Sequence, residues 1–254
     1  MRIELPKSKV VRAMMKVEEK RIYQVFQDIA LKYDMVNNLI SFNRHKVWRT
    51  DSINRINILE GQKVLDVCCG TADYTILLAQ KVGSRGKVYG LDFSTNMLAI
   101  GREKVAELKL KNVELVQGNA MEIPYPDNSF DVTTISFGLR NVPDYLQVLK
   151  EMCRVTKPGG KVACLETSQP TIPVYSQIYY FYFRHIMPLL GKIFTNKYDH
   201  YLWLHKSARN FPSRTKLEEM FRQAGLTNIQ VKAYDGGVAA LHIGVKEQTI
   251  ISSF

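Results

Sequence analysis

No part of this sequence resembles a membrane-spanning helix or a secretory signal. The most apolar stretch, residues 178–194, is interrupted by Arg184, His185 and Lys192, whereas a span needs roughly 20 mostly apolar residues. The first 20 residues carry charges throughout and contain no apolar core. We therefore expect a cytoplasmic protein.

Cysteine is scarce and is not arranged to bind a metal. The adjacent pair Cys68-Cys69 lacks the gap of about two residues that zinc ligands usually keep. The four cysteines are Cys68, Cys69, Cys153 and Cys164. We expect small, reduced, buried thiols and no metal site.

Acidic residues are outnumbered by basic ones, 24 Asp and Glu against 35 Lys and Arg, which gives a formal net charge of +11. A nucleic acid partner is one explanation of this excess. The anionic cytoplasmic face of a membrane is another, since it attracts proteins by about 1 kcal/mol per nearby Lys or Arg. Diffuse solubilising charge is the third, and on charge alone we favour it.

Apolar runs and helical periodicities alternate through the middle of the chain, which predicts a parallel sheet with helices on both faces. A later helix at 217–224 precedes two strands, 229–233 and 238–245, that flank the turn Asp235-Gly-Gly237. We therefore expect an α/β fold with a seven-stranded sheet, mostly parallel, that ends in an antiparallel hairpin. The other predicted strands are 64–67, 88–91, 113–117, 130–136 and 161–166, and the helices between them are 74–81, 96–108 and 145–155, the last closed by Lys157-Pro-Gly-Gly160.

One domain, residues 1–254, accounts for the whole chain. Its first residues are basic and weakly patterned, so we expect a mobile arm there. Apolar residues at helical spacing predict helices at 18–31 and 44–56, the second with Val47 and Trp48 facing inward. The predicted parts are a mobile basic arm at 1–15, N-terminal helices at 16–57, a cofactor-binding core at 58–169, an aromatic insertion at 170–211, and a final helix and hairpin at 212–247.

The aromatic insertion contains five consecutive aromatic residues at 179–183. Aromatic side chains at helical spacing are often core residues. The functional alternative is a helical lid over an apolar substrate, which touches lipid through Trp203 and the tyrosines. Both interpretations hold if the helices pack on the domain with one face and cover a pocket with the other.

The most informative segment runs from Lys63 to Asp73, where a short apolar strand meets a small-residue turn and the start of a helix. Such a layout is typical of a nucleotide-type site in an α/β sheet. Cys68 and Ala72 occupy positions where a dinucleotide fingerprint has glycines for close approach of a pyrophosphate. The turn therefore favours a nucleoside ligand without phosphates, such as S-adenosylmethionine.

Polar residues follow four of the predicted strands at the edge of the sheet where ligands bind. One Asp at a strand end is most simply a helix N-cap, but four such strand ends favour a cofactor site. We expect Asp66 to meet the ammonium of a methionine moiety, and Asp92, about 20 residues past the first turn, to accept both ribose hydroxyls. The other candidates are Gly70 for backbone approach, Thr71 for its hydroxyl, Asn119 and Ala120 for the adenine edge, and Ser136 near the reacting methyl group.

These residues lie in segments that resemble the class I S-adenosylmethionine-dependent methyltransferases, which have a Rossmann-like fold. The segments are Asp66 to Asp73, Gly90-Leu-Asp-Phe-Ser94, Gly118-Asn-Ala120, Pro126 to Asp131 and Pro158-Gly-Gly160. Two longer segments, Tyr33 to Trp48 and Phe137 to Val142 with its continuation at 154–160, are similar to the two signatures of the ubiquinone/menaquinone biosynthesis C-methyltransferases. The turn after Asp66 and the segment Leu165 to Pro170 resemble the branch that makes menaquinone in Gram-positive bacteria.

This resemblance implies methylation of a ring carbon of 2-demethylmenaquinol, with S-adenosyl-L-methionine as cofactor and no metal. A quinol ring carbon is a better nucleophile when a hydroxyl loses its proton, so the site must stabilise a phenolate. Arg140 is the candidate for that oxyanion, with Asn141 beside it; the alternative for Arg140 is a surface salt bridge. His45 is a second-tier candidate for the base, and its alternative is packing. Tyr33, Asp34 and Asn37 are expected to form a wall of the substrate pocket.

An isoprenoid quinol substrate gives the basic charge and the aromatic insertion a joint explanation, namely peripheral contact with the inner face of an anionic membrane. We expect no nucleic acid partner, and a homodimer is the assembly to be tested. The enzymatic alternatives are methylation of a ubiquinone precursor quinol, of RNA or of another small molecule. A nucleoside-binding or nucleic-acid-binding module without activity is the non-enzymatic alternative, and a dinucleotide oxidoreductase is weakened by the missing glycines.

Overall fold

Short apolar runs form a seven-stranded sheet in the order β3-β2-β1-β4-β5-β7-β6. The computed structural model describes residues 9–170, 177 and 207–248. The strands are β1 Lys63–Val67, β2 Lys87–Asp92, β3 Val113–Gln117, β4 Phe130–Ser136, β5 Thr156–Thr167, β6 Leu226–Tyr234 and β7 Ala239–Lys246.

The strand order reverses at β1, which pairs in parallel with β2 on one side and with β4 on the other. Asp66 is level with Gly90 of β2 and with Thr134 of β4. The carboxyl ends of these three strands therefore meet at one edge, which is the switch point where α/β sheets bind ligands. Strands β5, β7 and β6 pair antiparallel, so the predicted mixed sheet and its final hairpin are confirmed.

Helices cover both faces of the sheet. They are α1 Lys9–Ile40, α2 Arg44–Ile56, α3 Asp73–Val82, α4 Thr95–Glu107, α5 Tyr145–Val155 and α6 Arg214–Gln223, with short 3₁₀ turns at Leu139–Asn141 and Asp235–Gly237. On one face α5 and α6 bury Met152 and Phe221 against the strands. On the other face α2 and α3 bury Ile56 and Leu78. Burial on both faces explains why β1 is apolar from Val64 to Val67 except at Asp66.

Helix α1 is longer than the predicted helix at 18–31. Residues 9–40 contain neither Gly nor Pro, so no residue ends the helix before the turn at residues 41–43. Residues 9–15, which belong to the predicted mobile basic arm, are helical in the structure, and residues 1–8 lie outside the described part of the chain. The mobility of the arm stays a prediction. Ile22, Phe26 and Ile29 bury one side of α1 against Met97 of α4.

The segment Lys157-Pro-Gly-Gly160 was predicted to close a helix before the fifth strand. Helix α5 does end at Val155, but β5 begins at once, because Thr156 already pairs with Phe130 of β4. A register shift follows between Phe130 and Val132, so the Pro-Gly-Gly residues lie in an irregular part of the strand.

Most of the aromatic insertion, 171–176 and 178–206, lies outside the described residues, so the lid stays a prediction. Across the described ranges, no helix is long and apolar enough to cross a membrane.

Candidate functional site

A cavity opens at the edge where β1, β2 and β4 end. Its empty volume is about 1080 Å³ with the open mouth included. The strand ends form its floor, and Ile22, Phe26 and Tyr33 of α1 and Arg49 of α2 form its cover. The floor residues are Asp66, Cys68, Cys69, Gly70, Thr71, Asp73, Tyr74, Leu91, Asp92, Phe93, Met97, Gly118, Asn119, Ala120, Met121, Ser136, Phe137, Gly138, Asn141, Val142 and Pro143.

Asp92 is held in place by two backbone groups. Its Oδ2 accepts from Gly70 N at 2.8 Å, and its Oδ1 accepts from Ser94 N at 2.9 Å. Each oxygen of a carboxylate has a second lone pair, so both can still accept from a vicinal diol. Burial raises the pKa of Asp92 to about 6, although these backbone hydrogen bonds oppose the shift.

The turn after β1 has the left-handed backbone typical of glycine, although two of its left-handed residues are not glycine. Gly70 has φ 55°, and Cys68 and Ala72 adopt left-handed φ values of 56° and 65°. An L-residue in this conformation costs about 1–2 kcal/mol. The surrounding fold therefore imposes the backbone that brings Gly70 N to Asp92, and the departures from glycine do not change the path of the turn.

Asp66 is buried under the turn and bonded by two hydroxyls. Thr75 Oγ1 donates to its Oδ2 at 2.7 Å, and Thr134 Oγ1 donates to its Oδ1 at 3.1 Å. Burial raises the pKa of Asp66 to about 7, against these hydrogen bonds. A cationic group that enters the cavity would favour the ionised form of this carboxyl.

The loop after β3 forms the far end of the cavity. Asn119 Oδ1 accepts from Met121 N at 2.9 Å, which fixes the side chain against its own turn. A Cβ added to Gly118 would lie 2.6 Å from Leu91 Cδ1, so any larger residue here would have to displace the Leu91 side chain. Asn119 and Ala120 thus lie where a base beyond a ribose on Asp92 would reach.

Thr71 and Asp34 bind each other, and this contact joins the floor to the cover. Thr71 Oγ1 donates to Asp34 Oδ1 at 2.6 Å. Lys104 Nζ donates to Asp34 Oδ2 at 2.5 Å and to Asp73 Oδ1 at 2.7 Å. Each oxygen of Asp34 thus accepts one hydrogen bond within the protein, and the substrate contact of Asp34 stays a prediction.

Arg140 forms a buried ion pair rather than a wall of the cavity. Its Nη1 donates to Glu166 Oε1 at 2.6 Å and to Phe137 O at 2.8 Å, and Glu166 is only 1% exposed. Neither interpretation of Arg140 foresaw a buried pair. Phe137 has φ 58°, an unusual value for a bulky residue, so the pair stabilises a strained turn beside the cavity.

Tyr33, Phe137 and Asn141 also line the cavity. Burial raises the pKa of the Tyr33 phenol, while Arg140, the Asn37 side chain and Arg49 act to lower it. Asn141 is buried, and its Oδ1 has no hydrogen-bond partner among the described residues. The arrangement therefore offers an acceptor atom and two nearby cationic charges to a polar aromatic ligand.

His45 is buried in α2 and does not line the cavity. Its Nδ1 lies 2.5 Å from Ser41 Oγ, which itself donates to Asn37 O at 2.6 Å. Burial and the positive charge of Arg49 lower the pKa of His45 to about 4. An imidazole with so low a pKa, outside the cavity lining, is poorly suited to remove a substrate proton. The geometry favours the packing alternative.

Arg49 is a charged cavity residue that was not among the predicted site residues. The predicted inward face of α2 included Val47, which is wrong because Val47 is 52% exposed. The buried face instead carries His45, Trp48, Arg49 and Ser52 with the two isoleucines. A charged residue in phase with Trp48 and Ile56 was the signal that could have identified Arg49.

Comparison with known proteins gives a consistent result. Residues 14–246 match the model of the ubiE/COQ5 methyltransferase family. The chain is 60% identical over 234 residues to the demethylmenaquinone methyltransferase of Halalkalibacterium halodurans, which covers 92% of this chain and 96% of that protein. The demethylmenaquinone methyltransferase of Geobacillus sp. (strain WCH70) is 60% identical over 92% of this chain and 100% of its own length.

Solved structures with low sequence identity share the fold. A SAM dependent methyltransferase from Aquifex aeolicus superposes with a TM-score of 0.56 at 23% identity, over 78% of this chain and 88% of that chain. The Haemonchus contortus phosphoethanolamine N-methyltransferase 2 gives a TM-score of 0.59 at 18% identity, over 79% and 52% of the two chains. At these identities the likeness supports the fold alone.

Proposed function

This chain belongs to the ubiE/COQ5 methyltransferase family, and from that premise we propose that it methylates a ring carbon of 2-demethylmenaquinol. The products are menaquinol and S-adenosylhomocysteine. The observation that carries the choice of substrate is the high identity, along nearly the whole chain, to relatives named demethylmenaquinone methyltransferases. S-adenosylmethionine is the cofactor, and it supplies a methyl group that is already activated on a sulfonium.

The floor of the cavity fits this donor from one end to the other. Asp92 accepts hydrogen bonds from the two ribose hydroxyls. Gly70 N and Ser94 N each donate to one of its oxygens and so orient the carboxylate, and each oxygen keeps a second lone pair for the ribose. The loop at Asn119 and Ala120 receives the adenine. Asp66 binds the ammonium, which favours its ionised form. Gly70 allows close approach, Thr71 fixes the cover to the turn, and Ser136 lies at the end of β4 beside the reacting methyl group.

Two arginines act in favour of a phenolate beside Tyr33 and Asn141, the wall that we assign to the substrate. Arg140 and Arg49 both act to lower the pKa of the Tyr33 phenol, although burial outweighs them and raises it overall. A quinol hydroxyl beside Tyr33 would feel the same positive charges, which would offset part of the cost of burying its anion. Asn141 Oδ1 accepts from the second quinol hydroxyl. Arg140 therefore acts through its field and through the turn that it positions, not by direct contact. Asn37 supports Tyr33 in this wall.

Methyl transfer then needs alignment more than acid–base chemistry. The bond from the ring carbon to the methyl group forms as the carbon–sulfur bond breaks, and the ring afterwards loses its proton to water to restore aromaticity. Excluding bulk water while holding carbon, methyl group and sulfur in line is the task of the cover.

The proposal is tested by incubating the protein with labelled S-adenosylmethionine and demethylmenaquinone, with and without a reductant. We expect label in the lipid only in the reduced sample, because the oxidised ring is not a nucleophile. A reduced ubiquinone precursor offered in parallel tests the alternative substrate. Labelling of the ubiquinone precursor alone, or of neither quinol, would contradict the proposal.

Peripheral membrane contact is part of this proposal, because the substrate carries an isoprenoid tail. Exposed apolar side chains cluster in sequence around the turn from α1 to α2, where Lys32 and Lys46 are also exposed. These apolar residues are Leu31, Met35, Phe42 and Val47, with exposed fractions of 92%, 47%, 71% and 52%. Apolar side chains beside basic ones fit an anionic lipid surface.

Flotation with anionic vesicles at low salt tests the membrane contact. We expect wild type to float and the double variant Leu31→Asp/Phe42→Asp to remain with the soluble fraction. Leu108→Asp is the matched control, since Leu108 is 52% exposed at the far end of α4. Equal flotation of wild type and the double variant would refute contact through this turn.

A further inference from the structure

The donor carries a carboxylate for which the floor of the cavity offers no cation. Asp66 and Asp92 are both acidic, and the turn between them contributes backbone and hydroxyl groups. Among the residues that the structure describes, the positive side chain that lines the cavity is Arg49 of α2, which is only 8% exposed. A buried guanidinium needs an anion at close range, since its desolvation costs several kcal/mol.

The hydrogen bonds of Arg49 within the protein are long. Its Nε donates to Ser136 Oγ at 3.3 Å, and its Nη1 donates to Asp73 Oδ2, also at 3.3 Å. Charge-assisted bonds of this type are usually 2.7–2.9 Å. Arg140, by contrast, reaches Glu166 at 2.6 Å. The geometry of Arg49 therefore leaves room for a stronger anionic partner.

The acidic neighbour of Arg49 is already matched by another cation. Lys104 Nζ donates to Asp73 Oδ1 at 2.7 Å and to Asp34 Oδ2 at 2.5 Å. The positive charges of Arg49 and Lys104 balance the negative charges of Asp73 and Asp34. The charge of a further carboxylate at Arg49 would be offset by the ammonium and sulfonium of the same ligand. Charge balance thus permits the donor to bind as a whole.

The position of Arg49 fits the amino-acid end of the donor. A nucleoside that lies on Asp92 with its base toward Asn119 points its 5′ substituent toward β1 and β4. Arg49 Nε bonds Ser136 at the end of β4, and Arg49 lies close enough to Asp66 to affect its ionisation. The ammonium and carboxylate of one amino-acid group would therefore reach Asp66 and Arg49 together.

We propose that Arg49 binds the carboxylate of the methionine moiety of the methyl donor, an inference that rests on the proposed function. Asp66 then binds the ammonium of the amino-acid group, and Arg49 binds its carboxylate. Helix α2 thereby contributes to donor binding as well as to the cover.

Calorimetric titrations with two ligands test this assignment. S-adenosylmethionine has the carboxylate, whereas decarboxylated S-adenosylmethionine keeps the amine and the sulfonium but lacks it. In wild type we expect the decarboxylated ligand to bind about 10–100-fold more weakly, since a hydrogen bond to a charged group contributes about 1.5–3 kcal/mol. Arg49→Gln should weaken S-adenosylmethionine by a similar factor and leave the decarboxylated ligand within about threefold of wild type.

Two further variants keep the test decisive. Arg49→Lys retains the charge and should recover part of the affinity, and it replaces Arg49→Gln if the latter fails to fold by circular dichroism. Arg55→Gln, on the same helix but exposed and paired with Asp51, should bind both ligands as wild type does.

Each contrary outcome has a separate meaning. If Arg49→Gln weakens both ligands equally, the effect is structural and the assignment is wrong. If it keeps its affinity for S-adenosylmethionine but loses turnover, Arg49 serves the acceptor instead, and the proposed function stands. If well-folded wild type binds neither ligand, the proposed function and the assignment both fail.

Discussion

The floor and the cover of the cavity are built by different kinds of contact. In the floor, Asp92 bonds Ser94 N two residues away and Gly70 N in the adjacent turn. In the cover, Thr71 reaches Asp34 across 37 positions, and Arg44 bonds Asp235 across 191. The floor is thus positioned by the sheet itself, whereas the cover depends on the docking of α1 and α2 from a distance.

Gln27 shows how the cover is attached. Its Oε1 accepts from Ser94 Oγ and from Asn96 N, both at 2.8 Å, so α1 bonds the first turn of α4. Ser94 is also the N-cap of α4, where it accepts from Met97 N. The same serine therefore links the loop that orients Asp92 to helix α1, which covers the cavity.

The largest effect is expected from Arg140→Ala, in the buried ion pair beside the floor. Removing the guanidinium leaves the 1% exposed Glu166 as an uncompensated buried charge, which should lower the free energy of unfolding by about 3–5 kcal/mol. Urea denaturation measures this loss. The exposed pair of Arg55 with Asp51 is the control, since Arg55→Ala should cost under about 1 kcal/mol.

A neutral double variant, Arg140→Gln/Glu166→Gln, separates stability from chemistry. It should recover much of the lost stability while turnover stays low, because the field that favours the phenolate is gone. If Arg140→Ala lost less than about 1 kcal/mol, the ion pair would not stabilise the turn at Phe137 as described.

Asp92→Asn should have the next largest effect, and on ligand affinity rather than on stability. The amide has one acceptor oxygen in place of two, and its NH₂ would face a backbone N–H. We expect affinity for S-adenosylhomocysteine to fall about 100-fold, as expected for loss of one or two charged hydrogen bonds. Asp131→Asn, at the opposite end of β4, is the control and should bind as wild type does; similar losses in both variants would mean a general effect on the sheet.

Asp34→Asn tests the cover with a smaller expected effect. The change weakens the bonds to Thr71 and Lys104, so α1 should open more often and affinity for S-adenosylhomocysteine should fall about tenfold. Amide hydrogen exchange in α1 should rise, whereas Asp28→Asn on the exposed side of α1 should leave both readouts unchanged. A higher KM for the quinol with unchanged donor affinity would instead support the predicted contact of Asp34 with the substrate.

The pH dependence of donor binding should change affinity by several-fold. Burial raises the pKa of Asp66 to about 7 and that of Asp92 to about 6. Because the donor binds the ionised carboxyls, affinity should rise between pH 5.5 and 8, with proton release detectable by calorimetry in buffers of different ionisation enthalpy. Asp66→Asn should flatten this profile, and an affinity that falls over the same range would contradict the assignment of these carboxyls.

The same shifts act oppositely on the stability of the donor-free protein. Both folded pKa values lie above the ordinary value of 3.8, so between that pH and about 7 the folded state holds protons that the unfolded state has lost. The stabilisation contributed by these two groups is therefore lost as the pH rises through 6 and 7. Bound donor should offset that loss, which thermal unfolding with and without S-adenosylhomocysteine can measure.

The sheet and the floor could be predicted from the sequence because their signals are local. Strand periodicity, the small-residue turn after Asp66 and the acid at the end of β2 all lie within short segments. Even so, the sequence did not reveal that Cys68 would adopt a left-handed φ, because the sheet and the loop packing impose that conformation.

The cover and the ion pair could not be predicted in the same way. Arg140 and Glu166 are separated by 26 residues and meet only because β4 and β5 are neighbours. Arg49 lies on a buried helix face whose partners come from β4 and α3. Contacts of this kind depend on tertiary docking, which no short segment specifies.

The central claim is that the edge formed by β1, β2 and β4 binds an S-adenosyl ligand, and calorimetry tests it most directly. Titration of S-adenosylhomocysteine into well-folded wild type should give saturable heat with one site per chain. Absence of binding by this material, at any pH between 6 and 8, would contradict the account.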